Sequence, residues 1–530
     1  MASSYTKIFY KDYERLFDIH EKLKDDYRRL FLDYKITLKN EATAKRDSEE
    51  KNKIIKEKDK IIEEKDKQLQ EKDAQMDALK KEIARLTAIL NNDGTNSGTP
   101  TSKTPLHKKK VIPNTREKTG KSKGGQYGHP KAKLKAFPEE EITEHVEHGY
   151  DCCPECGGKL RYTGETTKDE TDYEVVVIKR RHHFKKYICE KCGKEIHQNI
   201  PDRLKEENQY GAGVQALALT LMNTGNVPVN KVKRIIYGLS QGDIEPTDGY
   251  IIKLQERAAK KLDSFKKELT GECLKSKLLY WDDTVIPILS KRACLRFYGN
   301  ERIALFCAHM RKNKEGIDED GILKLLGKDT TVMHDHNIVN YNDEYSFTNI
   351  ECNQHLLRDL QKVTDNLKRK WSSELKSHIQ KAIHDRNIAV EKGEDKFDEA
   401  YVKTFFDKFN KIIVEANAEH DSSQADYYYK EEAALILRIM NYKDNYFAWV
   451  TCFDLPITNN ESERSLRGSK THMKVSGQFQ SEKYAQNYAL IQSYIETCKR
   501  NGINEMSALI RLCNDDPFSL SEILANNSNN

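Results

Sequence analysis

No stretch of the chain approaches eighteen consecutive apolar residues, so nothing in it reads as a membrane-spanning helix. The first residues run into Lys11, Asp12, Glu14 and Arg15 where a secretory leader would carry an apolar core, which predicts a soluble, unexported protein. Cysteine is sparse: twelve in 530 residues are too few for a disulfide framework. Excess charge of one sign is lacking too, because 89 Lys and Arg face 84 Asp and Glu and leave only +5. That balance excludes a uniformly basic coat protein and an acidic disordered chain, and makes the total a poor guide to partners. The length allows three or four units of roughly 150 residues each.

What the chain does have is concentrated locally. Between residues 50 and 90, Ile55, Ile62, Leu69, Met76, Ile83 and Leu90 recur at seven-residue spacing, and Leu79 and Leu86 begin a second line. A helix cannot bury so narrow a stripe alone, so residues 1–92 are expected to be helical and to pair as a coiled coil between protomers. Lys58, Lys65 and Lys72 weaken the second line, and a solvated helix laced with ion pairs is the plainer alternative. Over residues 102–135, eleven Lys or Arg face Glu117 alone, a local excess of +10 that leaves −5 to the remainder. Such a flexible cationic segment, with Lys108, Lys109, Lys110, Lys121 and Lys123, gains affinity from phosphates without reading sequence.

Cys153 and Cys156, then Cys189 and Cys192, are thiolate pairs at two-residue spacing, each followed by glycine. Four sulfurs saturate tetrahedral Zn²⁺, which points to a structural site in a reducing compartment, with Cys152 a possible substitute ligand. Residues 173–188 between the pairs read as strand, carrying Arg180 and Arg181 toward DNA; His182 and His183 are assigned to solvent or phosphate. Residues 205–272 read as helices near 214–222, 230–239 and 247–268, with a turn from Gly238 to Gly242 that permits a helix-turn-helix.

Residues 278–281 form a short apolar run ending in Asp282, Asp283 and Thr284, followed by strand-like runs at 285–289, 295–298 and 303–309. Another run, 330–333, ends at Asp335 between His334 and His336. Neighbouring strands that each deliver an Asp can hold a hard divalent cation, although Asp often simply ends a strand. Downstream, Asn459 or Asn460 is a natural N-cap that puts Glu463 in the first turns of a helix, beside Arg464 and Arg467. A capped surface helix has the same signature.

In order along nearly the whole chain, these motifs resemble the insertion-sequence-66 family of bacterial transposases. The resemblance rests on the helix closing at Leu90, the segment 96–102, and Gly124, Gly125, Gln126, Tyr127, Gly128 and His129. It continues through the cysteine pairs, Asp282 to Thr284, the Asp335 strand, Asn459 to Arg467, and the segments 476–481 and 493–502. It implies a DDE-type transposase with a ribonuclease H-like core acting on double-stranded DNA, both the terminal inverted repeats of its element and target DNA. Asp282, Asp335 and Glu463 then become the catalytic ligands of two Mg²⁺ ions, or Mn²⁺, with Arg464 and Arg467 on phosphates. The family usually reads Asp-Glu-Thr where this chain has Asp282, Asp283 and Thr284. It also usually places an Arg pair behind a histidine that matches His355, and the pair is missing here, so His355 is given no role.

The expected architecture is multidomain α+β: a coiled coil (1–92), a basic linker (93–140), a zinc module (141–204) and a helical DNA-binding region (205–272). The ribonuclease H-like core follows in two parts (273–350 and 453–515), interrupted by a helical insertion (351–452), with a tail at 516–530. The insertion follows from the 128 residues between Asp335 and Glu463, too many for a simple connection. Its aromatics, Trp371, Phe405, Phe406, Phe409, Tyr427, Tyr428 and Tyr429, are expected in its core. A homodimer or higher oligomer, element-encoded accessory proteins and a cytoplasmic, nucleoid-associated location complete the expectation. A catalytically silent, transposase-derived zinc DNA-binding or regulatory protein is the alternative, and a coiled-coil scaffold the remoter one.

Overall fold

The structure is a computed structural model that describes residues 2–41, 48–91, 137–423 and 428–526. The basic segment with Lys108, Lys109, Lys110, Lys121 and Lys123, the Gly124 to His129 motif and Tyr427 lie outside the described residues. Among the described residues, no helix is long and apolar enough to cross a membrane.

Two long helices, α1 (Ala2–Glu41) and α2 (Ser48–Asn91), pack along each other. His20 Nδ1 meets Asp73 Oδ1 at 2.9 Å and Lys65 Nζ meets Asp26 Oδ2 at 3.1 Å, so the pair is antiparallel. Ile62, Leu69, Met76 and Ile83 are half-buried. The heptad seam, expected to meet a second protomer, thus has a partner helix in its own chain, and Lys65 answers a carboxylate of that helix. The periodicity shows that a stripe needs covering; it does not say by which helix.

The cysteine pairs fold as two matching turns. Cys153 N–H donates to Gly158 O and Gly157 N–H to Cys153 O; Cys189 N–H donates to Lys194 O and Gly193 N–H to Cys189 O. Gly157 and Gly193 take φ of 72° and 69°, the left-handed region open to glycine, which lets the chain double back on each sulfur pair. The strand expected over 173–188 is confined to β1 (Lys186–Ile188), paired antiparallel with β2 (Glu195–His197) around the second turn.

Helices α3 (Ala212–Asn223), α4 (Val229–Leu239), α5 (Asp248–Lys260) and α6 (Asp263–Lys275) lead into a five-stranded sheet. Its strands are β3 (Leu278–Ile288), β4 (Lys291–Gly299), β5 (Ala304–His309), β6 (Thr331–His334) and β7 (Thr348–Glu351), in the order β5-β4-β3-β6-β7. β3, β4 and β5 are antiparallel, whereas β6 and β7 run parallel to β3. The runs 278–281 and 285–289 are one strand, because Asp282, Asp283 and Thr284 stay paired with Phe297, Arg296 and Leu295. Backbone pairing carries a strand through polar residues when their side chains find partners on each face.

One face of the sheet (Leu279, Trp281, Tyr298, Leu305, Val332) shares a core with α3 to α6, the later part of α14 (Glu482–Arg500) and α15 (Glu505–Cys513). The other face (Tyr280, Ile286, Phe297, Phe306, Met333, Ile350) packs against α13 (Asn460–Val475) through Leu466. α14 runs along the edge strand β5, where Ser493 and Thr497 hydroxyls accept from Phe306 N–H (2.8 Å) and Ala304 N–H (3.1 Å). Donors that an open edge would leave unpaired are thereby satisfied. Within the stretch read as a tail, α16 (Leu520–Asn526) buries Leu520 and Ile523 in the first core.

Between β7 and α13 the chain makes α8 (Asn353–Leu367), α9 (Lys370–Glu391), α10 (Glu399–Asp421), α11 (Tyr429–Asn441) and α12 (Lys443–Phe447) around a separate core. Trp371, Phe405 and Phe409 are buried there, with Phe406 and Tyr428 packed against it. Asn353 N–H donates to Ile457 O at 3.0 Å and Asn353 Nδ2 to Tyr446 O at 2.7 Å, so the insertion is tied where the chain enters and leaves it.

Past α13, Phe479 bridges Ile288, and His472 stacks on Phe479 (5.0 Å between ring centroids) and Tyr488 (4.7 Å). Burial there pushes the imidazole from the ordinary 6.5 down to about 4. A depressed histidine protonates first in the unfolded chain, so stability is full above pH 6.5 and declines as pH falls toward 4. His472→Phe should remove up to roughly 3 kcal/mol of that decline in urea titrations over this range; an unchanged pH profile would show that His472 does not titrate as placed.

Candidate functional site

Asp282 and Asp335 reach the same place because the sheet sets their register. β3 and β6 pair in parallel with Leu278 opposite Thr331 and Tyr280 opposite Met333. Continued by two residues, that register sets Asp335, one step past β6, beside Asp282 on the same face. Strand neighbours lie about 4.8 Å apart. Asp283 points to the other face, where Lys312 Nζ pairs with it at 2.7 Å; its backbone N–H donates to Asp282 Oδ1 at 2.7 Å. Side-chain alternation therefore separates two adjacent carboxylates into different environments.

Glu463 comes from the first turn of α13, whose N-terminus is fixed by Asn459. Asn459 is buried and Asn460 exposed. Asn459 occupies the N-cap position, yet its side chain does not cap the helix. Instead Nδ2 donates to Trp281 O at 3.0 Å, Oδ1 accepts from Ser462 Oγ at 2.8 Å, and the backbone N–H meets Cys352 Sγ at 3.2 Å. One residue thus clamps α13 to β3 and to the end of β7. Glu461, on the same turn as Glu463, is engaged by Arg500 at 2.8 Å and Arg464 at 3.6 Å. That leaves Glu463 to face the aspartates.

The charged centre is closed by α8. His355 Nδ1 lies 2.9 Å from Asp335 Oδ1 and its Nε2 lies 3.7 Å from Glu463 Oε1, with Arg358 3.6 Å from the same oxygen. Asp335, Cys352 and His355 bring one ligand atom each within 4.8 Å of one another, the one such group of three among the described residues. Burial, then the charges of Asp335 and Asp283, holds the Asp282 carboxyl well above its usual range. Burial also opposes ionisation of Asp335, but His355, with a smaller share from His334 and Asn459, outweighs it and holds that carboxyl low. Burial disfavours imidazolium at His355, and the adjoining Asp335 charge reverses this and raises it. Asp335 Oδ1 and Glu463 Oε1 are buried and neither accepts a hydrogen bond of good geometry. Among the described residues the three carboxylates do not themselves close into a cluster within 4.8 Å; strand register sets Asp282 beside Asp335 and His355 links Asp335 to Glu463, and oxygen donors of this kind suit a hard divalent cation.

His334 and His336 serve the fold. His334 is buried between Asp335 O (2.9 Å) and Asn349 Oδ1 (2.7 Å), and His336 Nδ1 meets buried Glu351 at 2.8 Å. Arg464 and Arg467 are exposed on α13, and Arg180 and Arg181 are exposed on the extended segment between the cysteine turns. In each turn, backbone N–H groups and the partner cysteine lower the Cys153 and Cys189 thiols, as thiolate ligands require. Among the described residues, the four sulfurs of Cys153, Cys156, Cys189 and Cys192 are not gathered into one cluster.

From sequence, His355 has no assigned role and Asn459 is only a candidate cap, while Cys352 and Arg358 carry no assignment. The available signal was spacing: His355 and Arg358 stand three apart at the start of α8, on one helical face. If Asn459 is the clamp, Asn459→Ala should cost about 2–3 kcal/mol in urea unfolding, and Asn460→Ala no more than about 0.5. The reverse order would place the clamp on the wrong asparagine.

Comparison with known proteins gives one family: the model of the Transposase IS66 family matches residues 207–487. The matched stretch runs from just before α3 into α14 and includes Asp282, Asp335, His355, Arg358, Asn459 and Glu463. None of the curated proteins matches the chain. Since the match spans more than half of its 530 residues, the chain belongs to the IS66 family of transposases.

Proposed function

We propose that this chain is an active DDE-type transposase. It binds double-stranded DNA at the terminal inverted repeats of its element, cuts a phosphodiester bond there and joins the freed 3′ end to target DNA. The observation that carries this is that strand register sets Asp282 beside Asp335 while His355 links Asp335 to Glu463, so three distant stretches of chain bring their carboxylates to one face of the sheet. The sheet order, with an antiparallel half and a parallel half, supports a ribonuclease H-like core.

Asp282, Asp335 and Glu463 would hold two Mg²⁺ ions, or Mn²⁺, which when bound supply a nucleophile at neutral pH and stabilise the leaving 3′-oxygen. The carboxylates act as ligands, not as the main acid and base. His355 spans Asp335 and Glu463 and so fixes their relative positions, while Arg358 steadies Glu463 from the same helix. Arg464 and Arg467, on the turns next to Glu463, take phosphate oxygens, where guanidinium geometry is suited to bidentate contact. Water and a 3′-hydroxyl are interchangeable nucleophiles at one centre, so the same residues serve cutting and joining.

The other parts divide the binding. Lys108, Lys109, Lys110, Lys121 and Lys123 give salt-sensitive affinity, while the cysteine turns with Arg180 and Arg181, together with α4 and α5, contact the element ends. The thiolate donors suit a structural Zn²⁺. The α1–α2 hairpin pairs two protomers, one for each end. Zinc content near one ion per chain, and a sedimentation mass of two chains that falls to one without residues 1–92, would bear out these two parts; the opposite results remove them.

Strand cleavage of a duplex carrying the element end, with Mg²⁺, tests the chemistry. Asp282→Asn, Asp335→Asn and Glu463→Gln should each lower the rate by about a thousandfold or more, on the order of 4 kcal/mol. Cleavage that survives these changes would falsify the assignment. Wild-type protein that binds the end but leaves it intact would instead be a silent, transposase-derived binding protein.

A further inference from the structure

The face of α13 that presents Glu463 does not end there. At 100° per residue, Arg467, Lys470 and Lys474 fall within about 40° of the Glu463 direction and form a straight line along the helix. All three are exposed, whereas Ser462, Leu466 and Ser469 take the buried side. From Glu463 to Lys474 the helix advances about 16 Å, close to five base-pair steps of duplex.

The line continues on the hairpin between β3 and β4. The segment after α13 is stitched to that turn: Leu289 N–H donates to Phe479 O (3.0 Å), Phe479 N–H to Pro287 O (3.0 Å) and Ser290 N–H to Gln478 Oε1 (2.6 Å). Leu289 and Ser290 take φ of 47° and 62°, left-handed values that are strained for a non-glycine residue and persist where surrounding bonds enforce them. Lys291 follows directly, is exposed and stands opposite Ile288 on the sheet face that packs against α13, whereas Arg292, opposite Pro287, belongs to the other face. Many surface cations of this chain are matched, as Lys314 and Lys324 are by Asp318 and Glu344. Arg467, Lys470, Lys474 and Lys291 have no ion-pair partner among the described residues.

We infer that these four cations form a phosphate track along which the duplex leaves the acidic centre, with the strained hairpin turn as its far support. The track rests on the proposed DNA chemistry and extends it by assigning the backbone contacts beyond the scissile phosphate. Its ligand is the sugar-phosphate backbone of double-stranded DNA, held without base recognition.

Binding alone tests it. In the full chain, Lys291→Gln, Lys470→Gln and Lys474→Gln would be combined, and the affinity for a fluorescent random-sequence duplex followed by anisotropy across a salt series without divalent cation. Each lost contact lowers the slope of log affinity on log salt by about 0.9, so the slope should fall by roughly 2–3 and low-salt affinity by about tenfold or more. Lys403→Gln with Lys408→Gln, exposed on α10, is the control and should leave both unchanged. The basic linker is common to every variant and cancels. A slope equal to wild type, or a duplex that the chain does not bind at all, overturns the track. Loss of slope in the triple variant when the wild type never cuts would sustain the track and discard the catalytic proposal; cutting with an unchanged slope does the opposite.

Discussion

Carboxylates brought together on one face of the sheet repel one another, and the rest of the core can be understood as what holds them there. Two like charges about 5 Å apart repel by roughly 3 kcal/mol at an effective dielectric near 20. A domain stable by only about 5–15 kcal/mol cannot leave several such terms unopposed. The protein answers with fixed cations: His355 sits between Asp335 and Glu463, and Arg358 lies against Glu463. It answers also with geometry, since Asp282 and Asp335 are held by strand register and cannot move apart without unpairing β3 from β6.

Glu463 poses a harder problem, because a whole helical insertion separates it from Asp335. The insertion is tolerated because it has its own core and because its two ends are tied at Asn353, Tyr446 and Ile457. Loop-closure entropy grows only slowly with length, so what matters is where the ends are held. Asn459 does the holding on the far side, joining Trp281, Cys352 and Ser462 within one side chain and its own backbone. Arg500, almost wholly buried on α14, then binds Glu461 and Ser465 and braces α13 from behind.

The sequence carried those parts of this arrangement that depend on local pattern. The carboxylates of Asp282, Asp335 and Glu463 stood at ends of apolar runs or behind a cap, and the distance from Asp335 to Glu463 required an insertion, which the second core provides. What stayed hidden depends on contacts between distant residues. His355, left without a role for want of the family's Arg pair, has its partners 20 residues before it and 108 after it. The heptad stripe on α2 announced a partner without naming α1. β3 read as two strands because a polar triplet looks like a break, although its backbone pairs with β4 throughout. Asn459 looked like a cap by position, and only the packed structure directs its side chain elsewhere.

α13 brings the two signs of charge together. Its N-terminal turn faces the aspartates, where the positive end of the helix dipole favours the Glu463 carboxylate, and its last turn carries Lys474 near the negative end. Along the line between them, acid gives way to base within four residues, from Glu463 to Arg467. A cation line that began at the acidic residues themselves would be neutralised by them, as Glu461 is by Arg500 and Arg464. Displaced by a turn, the cations keep their charge for an outside anion while the carboxylates keep theirs for a metal. The near-zero net charge of the chain is thus compatible with strong fields of opposite sign along a single 16-residue helix.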